Sequence, residues 1–443
     1  MLTENSKAVC SGREICRDWE LCGGCRYQGV PYEEQLEIKA AEVRELLDAK
    51  SIKYGELLPI QPAPSIYAYR NKMEYTFGDM VKDGPTTLGM HPRGRFMSII
   101  TVDQCQLVHE DFNTVLRATL DFVESKGYSH YHKKRHTGLM RHLIIRRGIH
   151  TGELLVNIVT ASDGNAKADG PVDVNPACES TETFDEAGYA KMIMGLELEN
   201  RIVGVLRTIH DRLADAVYCD ELRILAGRDY YNEEIMGLKF RVSAFSFFQT
   251  NVEAVENLYS YALSLIDDFD GKDAFDLYCG TGTITQVLAQ KARTALGVEI
   301  VEEAVDVARQ TAELNGLDNC RFIAGDCFRV LDSISDKPDV IVVDPPRVGI
   351  KNDALDKIIG YGVDQIVYIS CNPKSLAENL YYFQYYGYSV ESVKPFDNFP
   401  FTKHCETVCL LSNRKPDARV KIDVDLEDYY RIKDEQKKNK ASE

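Results

Sequence analysis

From residue 270 onward, short apolar runs rich in β-branched residues alternate with helix-patterned segments, and this rhythm limits the fold more than any other feature of the chain. The segments "DAFDLYCG", "TALGVEI", "RFIAGD", "DVIVVDPP" and "QIVYISC" read as strands. Between them, "ITQVLAQKA" and "VEEAVDVARQTAELNG" read as helices, the second closed by a glycine. Apolar strands separated by helices predict a parallel sheet covered on both faces, an α/β domain. Ligands bind such sheets at the carboxyl ends of their strands. Cys371, in "DQIVYISCNPKSLAENL", stands at one such end.

The first half has a different rhythm. Residues 31–50 place Leu36, Val43, Leu46 and Leu47 at helical spacing, with Pro31 suited to the first turn. Runs such as "NKMEYTF", "HLIIRRG" and "ELLVNIVT" predict an antiparallel β region over 66–158, with a helix near 109–126. Residues 161–190 hold seven acidic residues and one lysine, and read as a mobile polar loop. The expected organisation is a β-rich region over 1–235, whose 31–58 helical segment packs on the next domain, an α/β domain over 236–414, and a charged tail over 415–443.

Composition narrows the function classes. No run of eighteen apolar residues occurs, and the opening "MLTENSKAVC" lacks a basic-then-apolar leader. Thirteen cysteines in such a chain are expected to be reduced thiols or ligands, in a cytoplasmic protein with no membrane contact. A net charge of −17 argues against a generic polyanion binder. The charge is uneven, however. Lys126 to Arg147 carries seven basic residues, four histidines and no carboxylate, a stretch that is either a solvated face or a phosphate-docking one.

The turn "DLYCGTGTIT" (276–285) lets backbone approach a ligand closely at Gly280. Glu299 ends the next strand nineteen residues later, placed to accept from ribose hydroxyls, and Asp326 ends the third strand where an adenine would lie. Position 285 is threonine, so the dinucleotide fingerprint G-x-G-x-x-G is not completed, which favours S-adenosylmethionine over a pyrophosphate cofactor. In "VVDPPRVGI", two prolines stiffen the backbone behind Asp344, a carboxylate suited to reading the edge of a flat heterocycle. Related motifs with an aromatic after the prolines serve amine methylation, but here Arg347 takes that place.

Asp344, Cys371 and Glu406 are expected to converge on one rim, a set that suits carbon methylation of a pyrimidine. Uracil C5 becomes nucleophilic only after a thiolate adds to C6, and a carboxylate must later remove the C5 proton. The thiolate requirement predicts a Cys371 pKa below the roughly 8.5 of a free thiol. Each residue alone has a plainer reading: a packed cysteine, a structural turn, a surface glutamate. At the other end, "CRDWELCGGC" sets Cys16, Cys22 and Cys25 at metal-ligand spacing for zinc or an iron–sulfur cluster, with Cys10 or Cys105 as fourth ligand.

With these residues in place, the chain resembles the bacterial RNA uracil-5-methyltransferases, in particular iron–sulfur members that act on 23S ribosomal RNA. The resemblance rests on "CRDWELCGGC", "SFFQTN" (246–251), "DLYCGTGT", "VVDPPR", "YISCNP" and "KHCETVCLL", in that order along nearly the whole chain. It implies a Rossmann-like class I S-adenosylmethionine-dependent methyltransferase domain behind a β-rich iron–sulfur and RNA-binding region. Cys371 would be nucleophile and Glu406 base. Gln249, Tyr278, Gly280, Thr283, Glu299, Asp326 and Asp344 would line the cofactor and uracil sites. Cys16, Cys22, Cys25 and Cys105 would hold a [4Fe-4S] cluster, Cys105 being preferred to Cys10. The implied partner is structured RNA, 23S rRNA first and the T-loop of tRNA second, bound by a monomer partly through the 126–147 basic segment. Two departures stand out: the chain starts almost at the cysteines, without the small N-terminal β-barrel of many relatives, and His404-Cys405-Glu406 replaces their His-Val-Glu. Amine methylation and a non-enzymatic RNA-binding protein are the rival readings.

Overall fold

The structure is a computed structural model that describes residues 9–10, 12–163, 182–213, 216–334 and 336–413. The expected tail over 415–443 lies outside the described residues. Two large sheets organise the rest. The first has seven strands in the spatial order Glu221–Gly227, Arg201–Ile209, Glu153–Thr160, Met140–Arg147, Lys72–Asp79, Thr86–Met90 and Ile100–Thr101. Its pairs are antiparallel except Glu153–Thr160 with Arg201–Ile209, which run parallel. A helix over Glu110–Lys126 buries Phe112, Val115, Leu116 and Val123 against this sheet and ends at Gly127, whose φ of +68° closes it in the left-handed region.

Two expectations for this half need correction. Of the stretch 161–190, residues 164–181 lie outside the described residues, and its end is not loop, because a helix begins at Glu186 and runs to Met194. Asp185 caps it, accepting from the Gly188 amide at 2.9 Å, while Tyr189 and Ile193 bury on the sheet. The run of polar residues before Asp185 masked these anchors. The basic segment 126–147 is only partly an outward face: Lys126, Lys134 and Arg135 are exposed, but two of its arginines are internal. Arg141 and Arg146 lie on a central strand and are 3% and 2% exposed. Arg141 stacks 3.9 Å over the Tyr131 ring and donates to the His210 carbonyl; Arg146 donates to the Ser246 carbonyl. Lys126 pairs with Asp185 at 2.7 Å. A charge count cannot distinguish a guanidinium used as a structural brace from one offered to solvent.

The second sheet has eight strands in the order Cys320–Ala324, Thr294–Glu299, Asp273–Leu277, Val340–Val343, Gln365–Ser370, Glu406–Ser412, Ser389–Phe396 and Tyr54–Leu57. The first five are mutually parallel, and Glu406–Ser412 inserts antiparallel between its neighbours. The order reverses between Asp273–Leu277 and Val340–Val343, which puts the sheet's ligand crevice at their carboxyl ends. Val340 to Val343 are all buried, as the unbroken apolar run requires.

The helix Tyr32–Ala49 begins right after Pro31 and sets Val43 and Leu47 into the core beside Leu355 and Leu380. Its buried stripe continues through Gln35 and Lys39 rather than Leu36 and Leu46. The Lys39 ammonium is fully buried, 2.6 Å from Asp397 and 3.1 Å from the Phe399 carbonyl. After the helix, Tyr54–Leu57 joins the sheet edge, so the 31–58 segment is helix then strand. The hairpin Tyr230–Ile235 with Leu238–Ser243 packs Tyr231 and Phe240 into one core with Leu155 of the first sheet and Val340 of the second. Among the described residues, no helix is long and apolar enough to cross a membrane.

Candidate active site

Strand register brings two of the expected site residues opposite each other. Ser370 pairs with Thr407 in the antiparallel ladder, so Cys371 and Glu406 extend it by one step at the strand ends. Val343 pairs with Tyr368 on the other side, which sets Asp344 at the same edge. Beyond Cys371 the chain must leave the sheet, and Asn372 begins the helix Pro373–Tyr385 by accepting from the Lys374 amide at 3.2 Å. The Asn372 amide group also donates to the Arg347 carbonyl at 2.8 Å, with the Ser375 hydroxyl on that oxygen at 3.1 Å. The Asp-Pro-Pro-Arg turn and the Cys371 turn are thus tied together.

The glycine turn lies across the switch point. Tyr278, Gly280 and Gly282 have φ of +71°, +53° and +77°. A non-glycine residue at positive φ stores about 1–3 kcal/mol, sustained here by the Tyr278 and Cys279 amides donating to the Val298 carbonyl. Glu299 is bound to the turn, accepting from Gly280 N at 3.1 Å and Val301 N at 3.0 Å. A Cβ at Gly280 would meet nothing within 4 Å, whereas one at Gly282 would strike the Phe322 ring at 2.7 Å. One glycine therefore fronts open space and the other is packed shut. Thr283 starts the helix behind them, and exposed Asp326 follows the Cys320–Ala324 strand close to Tyr278.

The electrostatics of the rim are dominated by carboxylates. Burial pushes Glu406 up to about 7, with Arg347 opposing. Asp344 is pushed well above the carboxylate range by burial, then by Glu406 and Asp276. Asp276, fully buried on its strand, is pushed up to about 7; its Oδ2 accepts from the Thr285 hydroxyl at 2.6 Å while Oδ1 has no partner. The expected depressed thiol at Cys371 is not found. Burial pushes Cys371 up to about 11, Glu406 and Asp344 push it further, and only Arg347 pulls it down. The resting thiol stands beside the carboxylates that the sequence placed at its rim, and the burial that raises it most is what the sequence could not supply. The same crowding suits a cationic ligand, such as a sulfonium, because a positive charge there would relieve all three carboxylates.

The "SFFQTN" segment ties this rim to the first sheet. Asn71 donates to the Gln249 carbonyl at 2.9 Å, and Asn251 donates to the Asn398 carbonyl at 2.8 Å while capping the helix Val252–Ser264. Gln249 turns its amide to the hydroxyl of buried Tyr259 at 3.3 Å, and Tyr259 feels the charges of Asp344, Asp276 and Glu406. Asp276, Tyr259, Arg347 and His404 are members of the site that sequence reasoning did not assign. An acidic residue inside the apolar run "DAFDLYC" was a legible signal for Asp276, and Arg347 and His404 stand inside motifs already singled out, whereas Tyr259 has no such signal.

Cys16, Cys22, Cys25 and Cys105 share one neighbourhood, and Cys16 and Cys105 line a common cavity of about 840 Å³. Burial, then Cys105, Cys22 and Cys16, push Cys25 up to about 12. Cys22 Sγ accepts from Gly24 N at 3.4 Å. Among the described residues, no group of three or more His, Cys, Asp or Glu side chains is arranged as a metal site. The fit to a cluster therefore rests on donor chemistry: four soft thiols, of which Cys16, Cys25 and Cys105 are pushed up in part by thiol neighbours, a repulsion that a bound cation would relieve. The backbone of Cys10 forms part of the short hairpin strand Val9–Cys10.

A family model described as tRNA (Uracil-5-)-methyltransferase matches residues 218–414. A Clostridium tetani protein named an uncharacterized RNA methyltransferase is 45% identical over 393 residues, 89% of this chain and 82% of its own length. A similarly named protein of Caldanaerobacter subterraneus subsp. tengcongensis is 45% identical over 396 residues, 89% of this chain and 84% of its own. The crystal structure of the Pyrococcus abyssi tRNA (uracil-54, C5)-methyltransferase in complex with S-adenosyl-L-homocysteine shares the fold, with a TM-score of 0.70 at 24% identity over 88% of this chain and 86% of that one.

Proposed function

Because the chain belongs to the RNA uracil-5-methyltransferase family, whose members are S-adenosylmethionine-dependent RNA methyltransferases, we propose that it methylates C5 of a uridine in structured RNA through a transient bond from Cys371 to C6. The observation that carries this reading is the ladder register that faces Cys371 with Glu406 at the sheet's ligand edge. 23S ribosomal RNA is the substrate that the four-cysteine pattern favours. The T-loop uridine of tRNA, the substrate class named for the P. abyssi protein of the same fold, is the second reading.

In this reading Gly280, Thr283, Glu299 and Asp326 hold the methyl donor, with Tyr278 and Gln249 enclosing it and the uracil. S-adenosylmethionine, when bound, supplies an electrophilic methyl group. Asp344 reads the edge of the flipped uracil, which leaves its stack at a cost of a few kcal/mol. The Cys371 thiolate adds to C6 and makes an enolate that reaches C5. Once C5 carries its methyl group, the Glu406 carboxylate takes the C5 proton and the Sγ–C6 bond breaks, restoring ring and thiolate. Lys403 and Arg70, two cations near His404, offer phosphate partners at the mouth, beside the exposed Lys134 and Arg135 of 126–147. Cys16, Cys22, Cys25 and Cys105 hold a [4Fe-4S] cluster that staples the fold, since methyl transfer needs no electrons.

Incubation with 5-fluorouridine-substituted rRNA and tRNA, followed by sequencing of the crosslinked fragment, tests the mechanism and the substrate together. Fluorine at C5 cannot leave as a cation, so the wild-type enzyme should stay bonded to RNA and Cys371→Ala should not. Full methylation by Cys371→Ala would refute the covalent route. A crosslink confined to tRNA would move the substrate to the T-loop.

A further inference from the structure

Arg347 has two anchorages. Its backbone carbonyl accepts from Asn372 and Ser375, which fixes the turn after Cys371. Its guanidinium reaches across the rim to His404 on the loop before Glu406, with Nη2 2.7 Å from Nδ1. Arginine is a donor only and stays charged, so His404 must be the acceptor, with its own proton on Nε2. The imidazole is held edge-to-face against Phe399, ring centroids 6.1 Å apart, and its backbone amide donates to the Thr402 hydroxyl at 3.2 Å. The guanidinium is therefore held by a rigid neutral ring through Nη2, which leaves its other donors unused by His404.

Building on the assignment of Cys371 as nucleophile, we propose that Arg347 is a further catalytic residue, the cation that holds the Cys371 thiolate, and that His404 is a positioning residue that clamps its guanidinium from the opposite loop. Among the described residues, the groups that act most on Cys371 include Glu406, Asp344, Tyr368 and Arg347, of which Arg347 is a cation. Two carboxylates beside a forming thiolate repel it, so reactivity near neutral pH needs an opposing charge close by, and Arg347, tied to the residue after Cys371 and to the loop before Glu406, is the cation that pulls the thiol down. The charged groups that act most on His404 are Arg347, Lys403, Lys39 and Arg70, all cationic. Together with burial they hold it down to about 4, so the ring stays an acceptor throughout the working range. A protonated His404 would lose the acceptor atom and repel the guanidinium.

Peptide-resolved mass spectrometry of Cys371 alkylation by iodoacetamide, across pH 6 to 10, tests this without methyl transfer. Alkylation forms the Sγ–C bond, expels iodide and releases the thiol proton to solvent, so its rate tracks the thiolate. Arg347→Met should move the profile up by about one pH unit or more, about a tenfold loss of rate at pH 8. Arg347→Lys, which keeps charge but not the fork, should fall between. His404→Gln, which keeps an acceptor, should stay close to wild type, and His404→Phe should shift toward Arg347→Met. A folded Arg347→Met with an unchanged profile overturns the proposal. If Arg347→Met does not fold, coincidence of Arg347→Lys and His404→Phe with wild type overturns it equally. Methylation by Cys371→Ala would sink the nucleophile assignment instead, while the alkylation profiles would still report the Arg347 contact.

Discussion

Cys371 stands in a field made mostly by carboxylates, and the pH behaviour of the protein follows from that. Glu406 titrates near 7 when folded and near 4.3 when unfolded. A carboxyl held above its unfolded value binds its proton more tightly in the native state. Its contribution to stability is complete below about pH 4 and is lost as the pH rises to about 7. Glu406→Gln carries no charge to lose. It should therefore match the wild type in urea unfolding near pH 4 and exceed it at pH 8 by about 3–4 kcal/mol. An equal difference at both pH values would contradict the raised titration. Methylation in the proposed mechanism needs the ionised base, so turnover should climb through about pH 7 and vanish in this variant.

At the scale of elements, the glycine turn separates packing from binding. Gly282 is fixed by its left-handed φ and by the Phe322 ring and Ala308 methyl, each under 3 Å from where a Cβ would stand. Gly282→Ala should cost about 2–4 kcal/mol, combining the left-handed penalty with overpacking. Gly280→Ala shares the φ but meets open space, so it should cost only about 1–2 kcal/mol. Its methyl would protrude where the proposed donor lies, and calorimetry should show weaker S-adenosylhomocysteine binding than its small stability loss suggests. Unimpaired binding by Gly280→Ala would remove the donor from that face. The strand tips show the same division. Their positions follow from the apolar runs, but the antiparallel insertion of Glu406–Ser412, which carries Glu406 to Cys371, is a pairing that no local pattern encodes.

For the whole molecule, the cysteine loop and the catalytic loop are one assembly. The Arg26 and Tyr27 amides both donate to the Phe401 carbonyl, at 2.8 and 2.9 Å, on a residue with φ of +65°. Arg93 donates to the carbonyls of Cys22 and Cys25, at 3.0 and 2.5 Å. Lys39 and Gln35 grip the same 397–401 stretch from the first helix. In the proposed staple role, removing iron by chelation, or by Cys25→Ser, should lower thermal stability and RNA binding along with methylation. Loss of methylation alone, with folding and RNA affinity intact, would contradict the staple and point to a direct part in the chemistry.

The sequence by itself determined the alternating α/β half, because strand and helix periods are local and a buried parallel strand must be apolar along its length. It also determined which side chains could do chemistry, since Asp344 and Cys371 follow directly on apolar strands and the glycine turn punctuates another. Tertiary structure alone decided the rest. Arg141 and Arg146 became internal braces, the helix Glu186–Met194 emerged from a polar stretch, and the Cys371 thiol was raised rather than lowered. Charge, burial and titration depend on what distant segments bring within a few ångströms, and proximity in space is not written in proximity along the chain.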